Sequence, residues 1–144
     1  MSQAVNDFLY EILGGQGFTF GDDIFLFAGA PTSQQAAGAI RGQCHRIVAN
    51  AVANASLALK SILSNDNPQL VFLINDSANN VVVFPFKNFA AGAIDTGEGI
   101  NGVANGSFTI TPGNAAIFVA SLVQAKRKGG ASAGTLNWSA ALLS

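Results

Sequence analysis

A chain of 144 residues is long enough to form one domain with its own core, and it carries seven basic against eight acidic side chains for a net charge of −1. That balance excludes a nucleic-acid footprint, which is built from clustered Lys and Arg. Only 10% of residues are charged, against about 25% in typical globular proteins, while 49% are hydrophobic. A surface so poor in charge favours association, so a homo-oligomer is the expected state. The single cysteine, Cys44, excludes an intrachain disulfide. The opening residues lack the basic and apolar stretches of a secretion signal, and no apolar run approaches the roughly 18 residues of a membrane span. A chain without a membrane partner, made in the cytoplasm, is therefore expected.

Residues 1–42 read as an N-terminal arm and linker, and 43–144 as the body. In the arm, Val5, Phe8, Leu9, Ile12 and Leu13 recur at the spacing of one helical face, with Ser2 as a cap and Gly14-Gly15 as a stop. A short amphipathic helix is predicted. Phe18-Thr19-Phe20, a turn at Gly21-Asp22-Asp23 and Ile24-Phe25-Leu26-Phe27 follow, so five of the eleven phenylalanines precede residue 30. Such aromatic density in a terminal segment means docking, onto its own domain or onto a neighbour. Phe8, Leu9, Ile12, Phe18, Phe20, Phe25 and Phe27 are the candidate interface residues of the arm. Residues 28–42, rich in Ala, Gly, Gln and Ser around Pro31, read as linker.

In the body, strands are predicted at 44–49 and 56–62, although the Ala-rich stretch 47–59 is also compatible with helix. Two apolar runs, 70–74 and 81–86, flank Asn75-Asp76-Ser77-Ala78-Asn79-Asn80 and read as a hairpin. A second hairpin is predicted from 107–111 and 115–119 through Pro112-Gly113-Asn114. Residues 88–106, between them, read as a loop pinned at Phe89, Ile94, Ile100 and Val103. Lys126-Arg127-Lys128 reads as a solvated turn, and 135–143 as a closing strand whose Trp138 fills the core or anchors an interface. Short strands separated by Asn, Gly and Pro turns point to a mainly β fold, an antiparallel β-sandwich or barrel of about six to nine strands.

No reactive constellation emerges. His45 is the only histidine, and on a strand it points away from its neighbour Cys44, so the two cannot form a base and nucleophile. One His and one Cys also fall short of a zinc site. Gly97-Glu98-Gly99-Ile100-Asn101-Gly102 has the glycine spacing of a dinucleotide loop but does not open a helix. Asp95, Glu98 and Asn101 read as a solvated loop; their alternative role is polar contact with a host glycan in a tail or fibre module. No enzyme activity, no cofactor and no metal are expected.

The central stretch carries a resemblance. Leu73-Ile74-Asn75-Asp76-Ser77-Ala78-Asn79-Asn80-Val81-Val82-Val83-Phe84-Pro85, the Ile100-Asn101-Gly102-Val103 loop, and Pro112-Gly113-Asn114-Ala115-Ala116-Ile117-Phe118-Val119 resemble a small β domain of tailed-bacteriophage structural proteins. Leu136-Asn137-Trp138-Ser139-Ala140 looks like the tail end of that domain. The resemblance covers residues 44–143 and implies a virion component of head-decoration or head-fibre type on the capsid exterior. Its expected partners are further copies of the chain, a trimer by preference, and the major capsid protein or neighbouring virion proteins.

Overall fold

The computed structural model describes residues 21–34, 36–62, 70–86, 88–90, 93–95, 98–121 and 136–143. The predicted N-terminal helix, with Phe8, Leu9, Ile12, Phe18 and Phe20, and the basic run at 126–128 lie outside the described residues.

Where the chain is rich in β-branched and aromatic residues it forms strands, and the described part is mainly β. In chain order these are β1 (Ile24–Leu26), β2 (Gly38–Ala39), β3 (Cys44–Asn50), β4 (Ala55–Ala58), β5 (Leu70–Asn75), β6 (Val81–Phe84), β7 (Asn88–Ala90), β8 (Ala93–Asp95), β9 (Glu98–Ile100), β10 (Val103–Ala104), β11 (Phe108–Ile110), β12 (Ala115–Ser121) and β13 (Leu136–Leu143). A seven-stranded sheet has the order β1-β3-β5-β12-β13-β9-β10, a four-stranded sheet the order β11-β6-β4-β2, and β7 pairs with β8 alone.

The first six strands alternate between the two larger sheets. β1, β3 and β5 lie side by side and parallel in one, and β2, β4 and β6 do the same in the other. The chain thus winds as a flattened superhelix, each rung adding one strand to each sheet. The two strands that follow the winding in these sheets run back against it: β11 is antiparallel to β6, and β12 is antiparallel to β5. With β9 parallel to β13, five of the ten described strand pairings are parallel. The expected antiparallel arrangement is therefore corrected to mixed sheets.

Neither predicted hairpin is one. β5 belongs to the seven-stranded sheet and β6 to the four-stranded sheet, and the same holds for β12 and β11. Both polar turns are corners at which the chain crosses from one sheet to the other. Asn75, fully buried, holds the two corners together: its Nδ2 donates to the carbonyls of Asn79 and Ile110, both at 2.9 Å, and its Oδ1 accepts from the Ser77 N–H at 3.1 Å. Its own backbone accepts from the Gly113 N–H at 2.8 Å and donates to the Asn114 carbonyl at 2.9 Å. Asn50 and Asn79 extend this lacing to the end of β3, where the Asn79 Nδ2 donates to the Asn50 carbonyl at 2.8 Å.

One apolar cluster draws on both sheets: Ile47, Leu73, Phe118 and Trp138 from the larger, Leu57, Val81, Val83 and Ile110 from the smaller. Phe108 and Phe118 meet edge to face across it, with ring centroids 5.6 Å apart. Of the two roles weighed for Trp138, the structure gives it the core, since none of its surface is exposed.

The segment expected as arm end and linker is part of the body. β1 supplies an edge strand to the larger sheet and β2 one to the smaller, and Leu26, Ala37 and Ile40 are buried. Backbone pairing thus begins before residue 42, and two- and three-residue strands need no apolar periodicity that a sequence pattern could display. Likewise, residues 98–104 form a β9–β10 hairpin within the predicted loop. Asn101 and Gly102 take φ values of 51° and 82°, the two positive angles that a mirror-image two-residue turn requires.

Candidate interaction face

β5 and β12 are apolar on both sides. Val71 and Leu73, with Ala116 and Phe118, point into the core. By alternation, Leu70, Phe72 and Ile74, with Ala115, Ile117 and Val119, point outward. The register brings these into rows that continue onto β13: Ile74 beside Ala115 beside Leu143, Phe72 beside Ile117 beside Ala141, Leu70 beside Val119 beside Ser139. Ile74 is 36% exposed, and Val119 and Leu143 are each 43% exposed. A sheet with one wet face normally alternates apolar with polar residues. Here large apolar side chains stand where that pattern puts polar ones.

At the β1 edge of this sheet, Phe25 and Phe27 are 52% and 71% exposed, and they stack on each other with centroids 6.1 Å apart and planes 11° from parallel. Both were candidate docking residues, and the structure leaves both accessible.

Charge enters the face at one corner. Arg46 on β3, beside Ile74, pairs with Asp76 just beyond β5. The hydrogen bond it donates to Asp76, then the charge of that carboxylate, raises the Arg46 guanidinium above its ordinary value, with Asp23 adding at longer range. Exposed as it is, the pair contributes little to stability.

The residues that carry chemistry are engaged within the fold. The Gly42 N–H donates to His45 Nε2 at 2.8 Å, which leaves Nδ1 to carry the proton and donate to the Asp22 carbonyl at 2.9 Å. The imidazole thus ties the entry to β1 to the β2–β3 connection, and it packs on Gly21, where a Cβ would come within 1.9 Å of its Cε1. Beside it a cleft of about 440 Å³ opens between the edge strands of the two sheets, lined by Ile24, Ile40 and Leu57 with Asp23 and Arg41. Cys44 takes the opposite face to His45, beside Phe72, and burial raises its thiol pKa. Among the described residues no group of three or more His, Cys, Asp or Glu is placed to hold a metal ion.

Glu98 is a correction. It lies on β9, only 1% exposed, and not in a solvated loop. Burial raises its carboxyl above the usual range; hydrogen bonds from Ser61 Oγ at 2.7 Å and the Ile62 N–H at 3.0 Å draw it part of the way back. Asn101 grips β13: its Oδ1 accepts from the Ala140 N–H at 2.8 Å and its Nδ2 donates to the Ala140 carbonyl at 3.1 Å. Asp95 lies on β8. Glu98 is therefore a buried residue of β9, and Asn101 holds β13 through both groups of its side-chain amide.

Sequence reasoning missed Ile74, Val119, Leu143, Arg46 and Asp76 as face residues. The signal was present in the uninterrupted apolar runs at 70–74 and 115–119, which exceed what one buried face requires. Comparison of the chain with protein-family models, curated proteins and solved structures finds no match.

Proposed function

We propose that this chain is a non-enzymatic structural protein of a tailed-bacteriophage particle, of head-decoration or head-fibre type, which works by being held against neighbouring chains. Its body is a two-sheet sandwich on this reading. The observation that carries the assembly role is the outward face of the seven-stranded sheet, apolar from β5 to β13 and joined at its edge by Phe25 and Phe27. Each Å² of apolar surface removed from water there contributes about 25 cal/mol before the costs of association. The virion assignment rests on the resemblance of residues 44–143; the engagement of His45 and Glu98 within the fold is in keeping with a protein that binds and does not catalyse.

The experiment is density-gradient fractionation of the producing host's lysate with an antibody to the chain. The chain is expected to band with particles, and recovery only in the soluble fraction overturns the virion assignment. A Val119→Asp variant places a charge on β12, the central strand of the three that form the outward rows, and it is expected to fold but to be lost from the particle band. Full incorporation of that variant removes the face from the assembly role.

A further inference from the structure

Resting on the reading of this face as an assembly surface, we propose that its occupant is the same face of a second copy, packed sheet against sheet across a two-fold axis that sets the Arg46 and Asp76 of one copy against the Asp76 and Arg46 of the other.

Three observations select a second copy over an unrelated partner. The first is charge. Among the described residues, the outward side of β5, β12 and β13 carries no ionic side chain, and the charges that border it are the pair of opposite sign formed by Arg46 and Asp76, with Asp23 at longer range beside β1. A strongly acidic or basic partner would find nothing to answer it there. A two-fold contact, by contrast, brings each patch onto itself, so that every charge meets its opposite and every apolar row meets an apolar row.

The second is extent. The five strands β1, β3, β5, β12 and β13, with 3, 7, 6, 7 and 8 residues at about 3.3 Å along the strand and about 4.8 Å across it, give a flat footprint of about 490 Å². That is about three-fifths of the about 800 Å² per partner of a standard interface, before the relief of the side chains and the projecting Phe25 and Phe27 are counted. The third is shape. Twisted sheets pack well on other twisted sheets at about 10 Å, and the outer side of a sheet shares the twist of its inner side. Such a contact closes on two copies, in place of the trimer expected from the sequence.

The test is sedimentation velocity on the full chain and three variants. Arg46 and Asp76 are 54% and 38% exposed at the side chain, so Arg46→Glu and Asp76→Arg leave the core untouched, and thermal unfolding of each confirms it. The wild type is expected to sediment as a dimer or an even multiple. Each single variant, meeting its own like charges across the axis, is expected to dissociate at least tenfold more readily. An equimolar mixture of the two, which sets a doubly acidic corner against a doubly basic one, is expected to recover the wild-type association. A monomeric or trimeric wild type, single variants that associate as wild type does, or a mixture that stays monomeric overturns the proposal. The Val119→Asp variant separates the two readings. If it bands with particles less than wild type while the wild type is a monomer in solution, the face serves assembly but its occupant is another protein.

Discussion

Replacing Asn75 by Ala tests whether one side chain secures both crossings between the sheets. The substitution removes two donated hydrogen bonds, to the Asn79 and Ile110 carbonyls, and those accepted from Ser77. The Asn79 carbonyl is only partly buried and can turn to water, and the Ser77 hydroxyl already reaches that carbonyl at 3.3 Å. Inside the protein the Ile110 carbonyl loses its Asn75 donor and the Ser77 N–H its acceptor. Each such loss costs about 1–3 kcal/mol, so the variant is expected to lose about 2–6 kcal/mol. Against a typical total of about 5–15 kcal/mol that is a large fraction. Urea unfolding followed by tryptophan fluorescence reads it directly, since Trp138 lies in the shared core. Asn75→Asp sharpens the test: it retains an acceptor for Ser77 but turns an oxygen toward two carbonyl oxygens, so its loss should grow as pH rises and the new carboxyl ionises. A loss below about 1 kcal/mol in the Ala variant refutes the latch, and a pH-independent Asp variant refutes the assignment of donors.

Two further substitutions probe other buried contacts. Glu98 has a carboxyl pKa raised by burial, so between the unfolded value of about 4.3 and the folded one the native state holds more protons than the unfolded chain. Stability should therefore fall as pH rises through that window, by about 1.4 kcal/mol for each unit of elevation, and Glu98→Gln should flatten the dependence; an unchanged slope in the variant counts against it. Gly21→Ala drives the His45 ring from its seat and should cost about 2–4 kcal/mol through the two ring hydrogen bonds and the overpacking. A double-mutant cycle with His45→Ala should show coupling, and simple additivity would mean that the ring does not bear on Gly21.

Strand content was readable because strands announce themselves through β-branched and aromatic runs; β3, β5, β6, β11, β12 and β13 all fall where such runs lie. What the runs do not carry is which strand lies beside which. The polar clusters at 75–80 and 112–114 mark reversals, but a reversal within a sheet and a crossing between sheets use the same short polar residues. The difference lies in Asn75, whose bonds to Ile110 and Gly113 span the chain and leave no local trace. Glu98 was misplaced for a related reason: flanking glycines suggested a loop, whereas Ser61 and Ile62, far away in sequence, receive the carboxylate. Of the candidate face, Phe25 of β1 and Phe27 just beyond it were legible from density alone. The β5–β12–β13 rows needed the register.

The winding of the first six strands has a kinetic corollary. Ile24 finds Ile47, Cys44 finds Phe72 and Ala55 finds Val81, so each rung must wait for the one after it to be synthesised or to diffuse into place. The β9–β10 ribbon, closed by Asn101 and Gly102, and the β7–β8 pair are the two described pairings short enough to form early. A topology dominated by distant partners folds in milliseconds to seconds, not microseconds. During that interval its strand edges are open, so recovery of soluble protein should depend more on the rate of synthesis and on temperature than on the strength of the finished core.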